Sequence, residues 1–367
     1  MFFTYFCIYK GFVIRIRFPK FFPNSTLNKN ILLTMKDIRW SNMELCRIFA
    51  IICVMLLHST FSSLGYDVSF GVYLLAGFSI IGVNTFVMLT GYFSATPKKS
   101  SLISIAFMCL FWTIIKVIFH YSFNEELNYK DFFFITKSNW FIPSYIFLLF
   151  FSPILNVFCD SVNKKTLLHL IISLLIIITW FDWLPPYPDI SLGSISALFF
   201  LIIYLLARYI RLYGLPAWFK NASLIIYIVC SLFLGILGYS VKENHSFVAL
   251  IIYNGDPIVI ISSVAFLTTF SQLNFHSKII NHLAKSVLAC LLGHVGIYFL
   301  YTKHFKHLYY NYSNFKVIFY WIFTIAILFI TSVLIDQIRI YLWTHIKIHL
   351  KTFIKNDKIF ELPNTLK

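Results

Sequence analysis

The 367-residue chain is 59% hydrophobic and 20% aromatic, only 12% charged, and carries a formal net charge of +16. Soluble domains hold about 25% charged residues, so this composition excludes an ordinary water-soluble globule and marks a polytopic membrane protein. The Lys and Arg excess lies between apolar runs and forms no basic stripe interleaved with aromatics, so it reads as membrane topology and not as a nucleic-acid surface. The seven cysteines are scattered without paired spacing, which argues against a disulfide framework or a zinc site.

In chain order, residues 1–38 come first and mix aromatics with Lys10, Arg15, Arg17, Lys20 and Lys29. Charge breaks this stretch too often for a span. It is either a basic surface-lying arm or a mis-assigned start, with translation beginning at Met35. Ten apolar runs of spanning length follow, near 45–61, 70–93, 102–121, 140–158, 167–184, 195–209, 222–239, 247–270, 283–301 and 315–343. Asp256-Pro257, inside the eighth run, kinks or starts a helix. An even number of crossings puts both termini on one side. The short loops on that side collect nine basic residues (Lys98, Lys99, Lys164, Lys165, Arg208, Arg211, Lys220, Lys278 and Lys285) against five on the other (Lys130, Lys137, Lys242, Lys303 and Lys306). That bias predicts cytoplasmic termini. The expectation is an all-α transmembrane bundle of about ten helices over 39–345, followed by a basic cytoplasmic tail over 346–367.

The loops are too short to hold a separate catalytic domain, so chemistry is expected inside the bundle or at its mouths. The first run supplies the candidates. Arg47 and His58 are eleven residues apart, which on an α-helix leaves them about 20° apart on one face and roughly 16 Å apart along the axis. Glu44, three residues before Arg47, is on the same stripe and is its natural partner. An arginine inside a span costs on the order of 2.5 to 3.5 kcal/mol, which favours a place lining a protein interior or a watery cavity. A histidine held away from water favours the neutral imidazole, the form a general base requires. The plain alternative is a histidine bonded to a neighbouring helix and an arginine snorkelling to the interface.

The segment Arg39-Trp40-Ser41-Asn42-Met43-Glu44-Leu45-Cys46-Arg47, continuing to His58, resembles the opening helix of the membrane acyltransferase-3 family, whose hallmark is an arginine, ten residues, then a histidine. Gly82 to Phe93 is similar to that family's second helix, and Asn84 and Thr85 look most like the branch that modifies cell-surface polysaccharides. Asn139 to Tyr145 with Ser152 to Asn156, and Ala284 to His294, are similar to its later motifs. The resemblance implies transfer of an acyl group, usually acetyl from acetyl-CoA, to a hydroxyl of an exported glycan or lipid-linked sugar at the cell membrane. It makes His58 essential and Arg47 a donor contact; on the reading of the residues themselves His58 is the base and Glu44 orients Arg47. Relatives carry a pair of arginines at the start of the third helix where this chain has Lys98-Lys99, which are point charges suited to drawing in the donor's phosphates. Asn84, Tyr92 and Trp140 complete the candidate substrate contacts. Against them stand the structural readings of Asn84 as a bond across helices and Trp140 as an interfacial aromatic. His294 reads mainly as a packing or hydrogen-bonded histidine. Asn156 and Asp182, at run ends, face either an outer acceptor cavity or water. No metal is expected, and the oligomeric state is open. A transporter, flippase or polymerase for lipid-linked sugars is the competing class.

Overall fold

In hydrocarbon a backbone must satisfy its own polar groups, which leaves helices or closed barrels. In the computed structural model, which describes residues 40–126, 140–183, 196–311 and 314–350, every regular element is a helix. The readings of residues 1–38 and 351–367, of the loops around Lys130 and Lys137, and of the Asp182 side chain lie outside the described residues.

The helices are α1 (Ser41–Ser59), α2 (Phe61–Leu64), α3 (Phe70–Ser79), α4 (Gly82–Tyr92), α5 (Lys99–Ser122), α6 (Phe141–Ser161), α7 (Lys164–Trp183) and α8 (Ala197–Tyr213). They continue with α9 (Ala217–Ser240), α10 (His245–Ile251), α11 (Pro257–Ser271), α12 (Lys278–Leu283), α13 (Val287–Gly296), α14 (Tyr298–Asn311) and α15 (Asn314–His349). Among the described residues seven stretches are long and apolar enough to cross a membrane: α1 with α2, α3 with α4, α5, α6, α9, α12 through α13, and α15. At the other three apolar runs stand α7, of 20 residues, α8, of 17, and α11, of 15.

Local chemistry sets these boundaries. Ser196 accepts a hydrogen bond from the Phe199 amide and starts α8. Asp256 accepts from the Ile258 and Val259 amides with Pro257 in the first turn, so the eighth run is not one helix but α10, a break, and a freshly capped α11. The run at 283–301 divides too: α13 ends at Gly296 and α14 continues as a separate helix of low hydropathy.

α1 is central. It packs against α3, α4, α11, α12, α13 and α15. One close approach is at Gly82, where an added Cβ would stand 2.7 Å from the Ala50 carbonyl oxygen of α1. Small residues allow this intimacy between membrane helices. The periphery is the reverse: Leu110, Ile114 and Ile118 on α5, Ile225 and Val229 on α9, and Phe319 and Phe323 on α15 are exposed. Large apolar side chains turned outward along whole helices suit a hydrocarbon surround.

Candidate active site

The i, i+3 spacing on α1 brings Arg47 Nη1 to 2.6 Å from Glu44 Oε2. The Arg47 side chain stays 27% exposed while that of Glu44 is 11% exposed, so the guanidinium keeps access to a ligand and the carboxylate is committed to holding it. One turn nearer the start of α1, Trp40 completes a mouth of the bundle. The Arg211 guanidinium of α8 lies 5.1 Å from the Trp40 ring centre and 5.0 Å from that of Tyr92, and donates to the Tyr92 hydroxyl at 3.3 Å. A cation between two ring faces is a favourable electrostatic arrangement. Tyr92 thus has a place at this mouth, one turn of chain before the exposed Lys98 and the half-buried Lys99 that open α5.

The turn between them is tightly held. Ser94 sits in the left-handed region at φ 53°, a conformation that non-glycine residues keep only when their surroundings hold it. Its hydroxyl accepts from Arg208 Nη1, and Arg208 Nη2 pairs with Asp160 at 2.6 Å. Asn156 donates to the Ser94 carbonyl at 3.3 Å and accepts from the Tyr204 hydroxyl at 2.7 Å. Asn156, half-buried, lies at the mouth shared with Trp40 and braces this turn. Arg208, expected only as a topological charge, is buried. Its two partners come from two other segments, a convergence that spacing along one helix does not reveal.

Asn84 and Trp140 are elsewhere. Asn84 is buried and donates to the Asn254 carbonyl at 2.9 Å, at the break between α10 and α11; it makes the cross-helix bond that was the alternative to a substrate contact. Trp140 packs edge-on against Phe141 and Phe200. Among the described residues, no hydrogen bond or ring contact joins either of them to Arg47 or His58.

At the far end of α1, His58 meets a residue that the sequence placed mainly in packing. His58 Nδ1 lies 2.8 Å from His294 Nε2, across 236 residues of chain. His294 is buried, and its Nδ1 lies 2.9 Å from the Cys290 carbonyl oxygen one turn back in α13. Tyr298 stands edge-on to the His58 ring at 6.4 Å, and Tyr301 flanks His294 while donating its hydroxyl proton to the Met55 carbonyl of α1. Ser59, next to His58, accepts from the Trp321 indole at 2.5 Å, joining α15 to the same end. His58 is half-buried, and among the described residues its Nε2 makes no hydrogen bond. The stripe of α1 thus looks into the protein and not into lipid: Glu44 is buried at one end and His58 is bonded to α13 at the other.

A second charged pair inside a span was not singled out from sequence. On α15, Asp336 and Arg339 pair side by side, with 0% and 4% of their side chains exposed and Arg339 Nη2 2.9 Å from Asp336 Oδ2. Their i, i+3 spacing within an apolar run was the available signal. Among the described residues no group of three potential metal ligands comes together.

A helical membrane bundle with an ionisable stripe enclosed at its centre is the class of molecule described so far. The chain belongs to the acyltransferase-3 family: the family model, described as an acyltransferase domain, matches residues 40–336, and the protein is accordingly an acyltransferase enzyme. That span runs from Trp40 at the mouth to Asp336 and includes Glu44, Arg47, His58 and His294. Comparison with curated proteins and with solved structures finds no match.

Proposed function

We propose that the protein is an O-acyltransferase of the cell membrane, crossing it ten times with both termini cytoplasmic, that moves an acetyl group from acetyl-CoA to a hydroxyl of an exported or lipid-linked cell-surface polysaccharide. Ten crossings are the seven long stretches together with α7, α8 and α11. The pairing of ends supports this count. The start of α1 bonds to Phe270 at the end of α11 and to Ser277, and the end of α4 meets α6 and α8 through Ser94, Asp160 and Arg208. Alternating crossings put all of these on one side, the side that carries more Lys and Arg.

The observation that carries the reading is the seat of His58. It has one ring nitrogen engaged by α13 and the other without a partner among the described residues, on the same stripe as a guanidinium that its neighbour holds in place. In the reaction the acceptor hydroxyl gives its proton to His58 as its oxygen attacks the thioester carbonyl. The carbon–oxygen bond forms, the carbon–sulfur bond breaks, and the departing coenzyme thiolate recovers the proton from the imidazolium. Arg47, with Lys98 and Lys99 at the mouth, would hold the anionic part of the donor.

Mass spectrometry of surface glycans from cells with and without the protein tests the reading. Loss of ester-linked acetyl groups on deletion, restored by the wild-type chain and not by His58→Ala inserted at the same level, is the expected result. Unchanged acetylation with accumulation of a lipid-linked precursor would replace it with transport.

A further inference from the structure

We propose that His294 is the positioning residue of the reaction: it selects the one tautomer of His58 whose Nε2 lone pair is free to take the acceptor's proton. The proposal rests on the reading of His58 as the base.

The assignment follows from what each partner can do. A carbonyl oxygen only accepts, so the 2.9 Å contact with Cys290 requires His294 Nδ1 to carry the proton. In a neutral ring the other nitrogen is then bare, and His294 Nε2 accepts. The 2.8 Å contact therefore requires His58 Nδ1 to donate, which puts the remaining lone pair of His58 on Nε2. The order carbonyl, His294, His58, acceptor is directional. Reversing either ring would place two lone pairs or two protons against each other.

The chain of bonds also has a fixed anchor. α13 is wedged between α5 and α15: a Cβ on Gly293 would stand 2.9 Å from the Trp112 ring and 3.0 Å from the Ser332 hydroxyl. The Cys290 thiol, 3.8 Å from the Phe329 carbonyl, ties the same turn to α15. The Cys290 carbonyl is therefore a stationary reference. It cannot accept a proton outright, so His294 does not pass one onward. Its task is to orient His58 and, once His58 becomes an imidazolium, to keep accepting from Nδ1–H. Tyr298 and Tyr301 are the titratable groups that face the pair, from α14, and the Tyr301 hydroxyl is already committed to Met55.

Glutamine can present an oxygen to His58 and an amide N–H to the carbonyl, whereas leucine fills a similar space and offers neither. With insertion levels matched, His294→Leu is expected to lower kcat by about 10²-fold, within the range that a positioned base contributes, with the donor KM little changed. His294→Gln is expected to recover most of that loss. Adding His294→Leu to His58→Ala should lower kcat no further, because the first residue acts through the second. Equal losses in the leucine and glutamine proteins, or additive losses in the double variant, would overturn the positioning role. A fully active His58→Ala protein would instead remove the base, and the proposal with it. Loss in His58→Ala alongside wild-type turnover in His294→Leu would remove the positioning role only.

Discussion

The two ends of α1 treat their polar side chains in opposite ways. At Arg47 the helix carries a full charge, partly accessible and paired at 2.6 Å with a carboxylate on its own stripe. At His58 the ring is bonded to a second imidazole and neighboured by tyrosines, and among the described residues no charged side chain bonds to it. Charge is retained where a carboxylate lies beside it, and hydrogen bonding between two rings takes over at the other end. The first environment suits an anion contact and the second a base.

The largest effect that would break this contrast is on turnover. His58→Ala, at normal levels in the membrane, is expected to reduce kcat by about 10²- to 10⁴-fold in an acetyl-transfer assay; wild-type turnover would mean that the far end of α1 does no chemistry. Next comes stability, away from both ends. Asp336→Ala leaves the Arg339 guanidinium enclosed and unpaired, and breaking a buried pair from one side costs about 3–5 kcal/mol. A clearly lowered unfolding midpoint in detergent is expected, and an unshifted one would show that Arg339 finds another partner. Arg47→Lys sharpens the comparison at the mouth. The charge is kept and the planar fork is lost, so the apparent KM for the donor should rise about tenfold with kcat largely preserved, in line with roughly 1.5 kcal/mol for one charge-assisted hydrogen bond. The smallest effect is Glu44→Gln. A partly exposed i, i+3 pair is worth well under about 1 kcal/mol, so a KM shift of no more than a few-fold is expected, and a loss of kcat as large as that of His58→Ala would give Glu44 a chemical role of its own.

What could be read along a single helix was legible beforehand. The period of α1 put Glu44, Arg47 and His58 on one stripe, and the ion pair is where that period requires. Asp256-Pro257 signalled a helix start because both residues act within their own turn. The rest depends on contacts between distant segments. His294 reaches His58 across 236 positions, and Arg208 collects Ser94 and Asp160 from two other segments; hydrophobic periodicity carries no information about such meetings. The partners of Asn156 escape the sequence for the same reason, since the end of an apolar run does not say which groups wait there. The undivided reading of 283–301 ran through the end of α13 at Gly296, because apolar residues continue past a helix end that backbone geometry alone defines.

The crossing at Gly82 has a consequence for both ends of α1. Main chain lies against main chain there, with the Ala50 oxygen 2.7 Å from where a methyl group would go. The second span therefore acts as a datum that sets the depth of both Arg47 and His58 at once. Enlarging residue 82 would shift both ends of that stripe together.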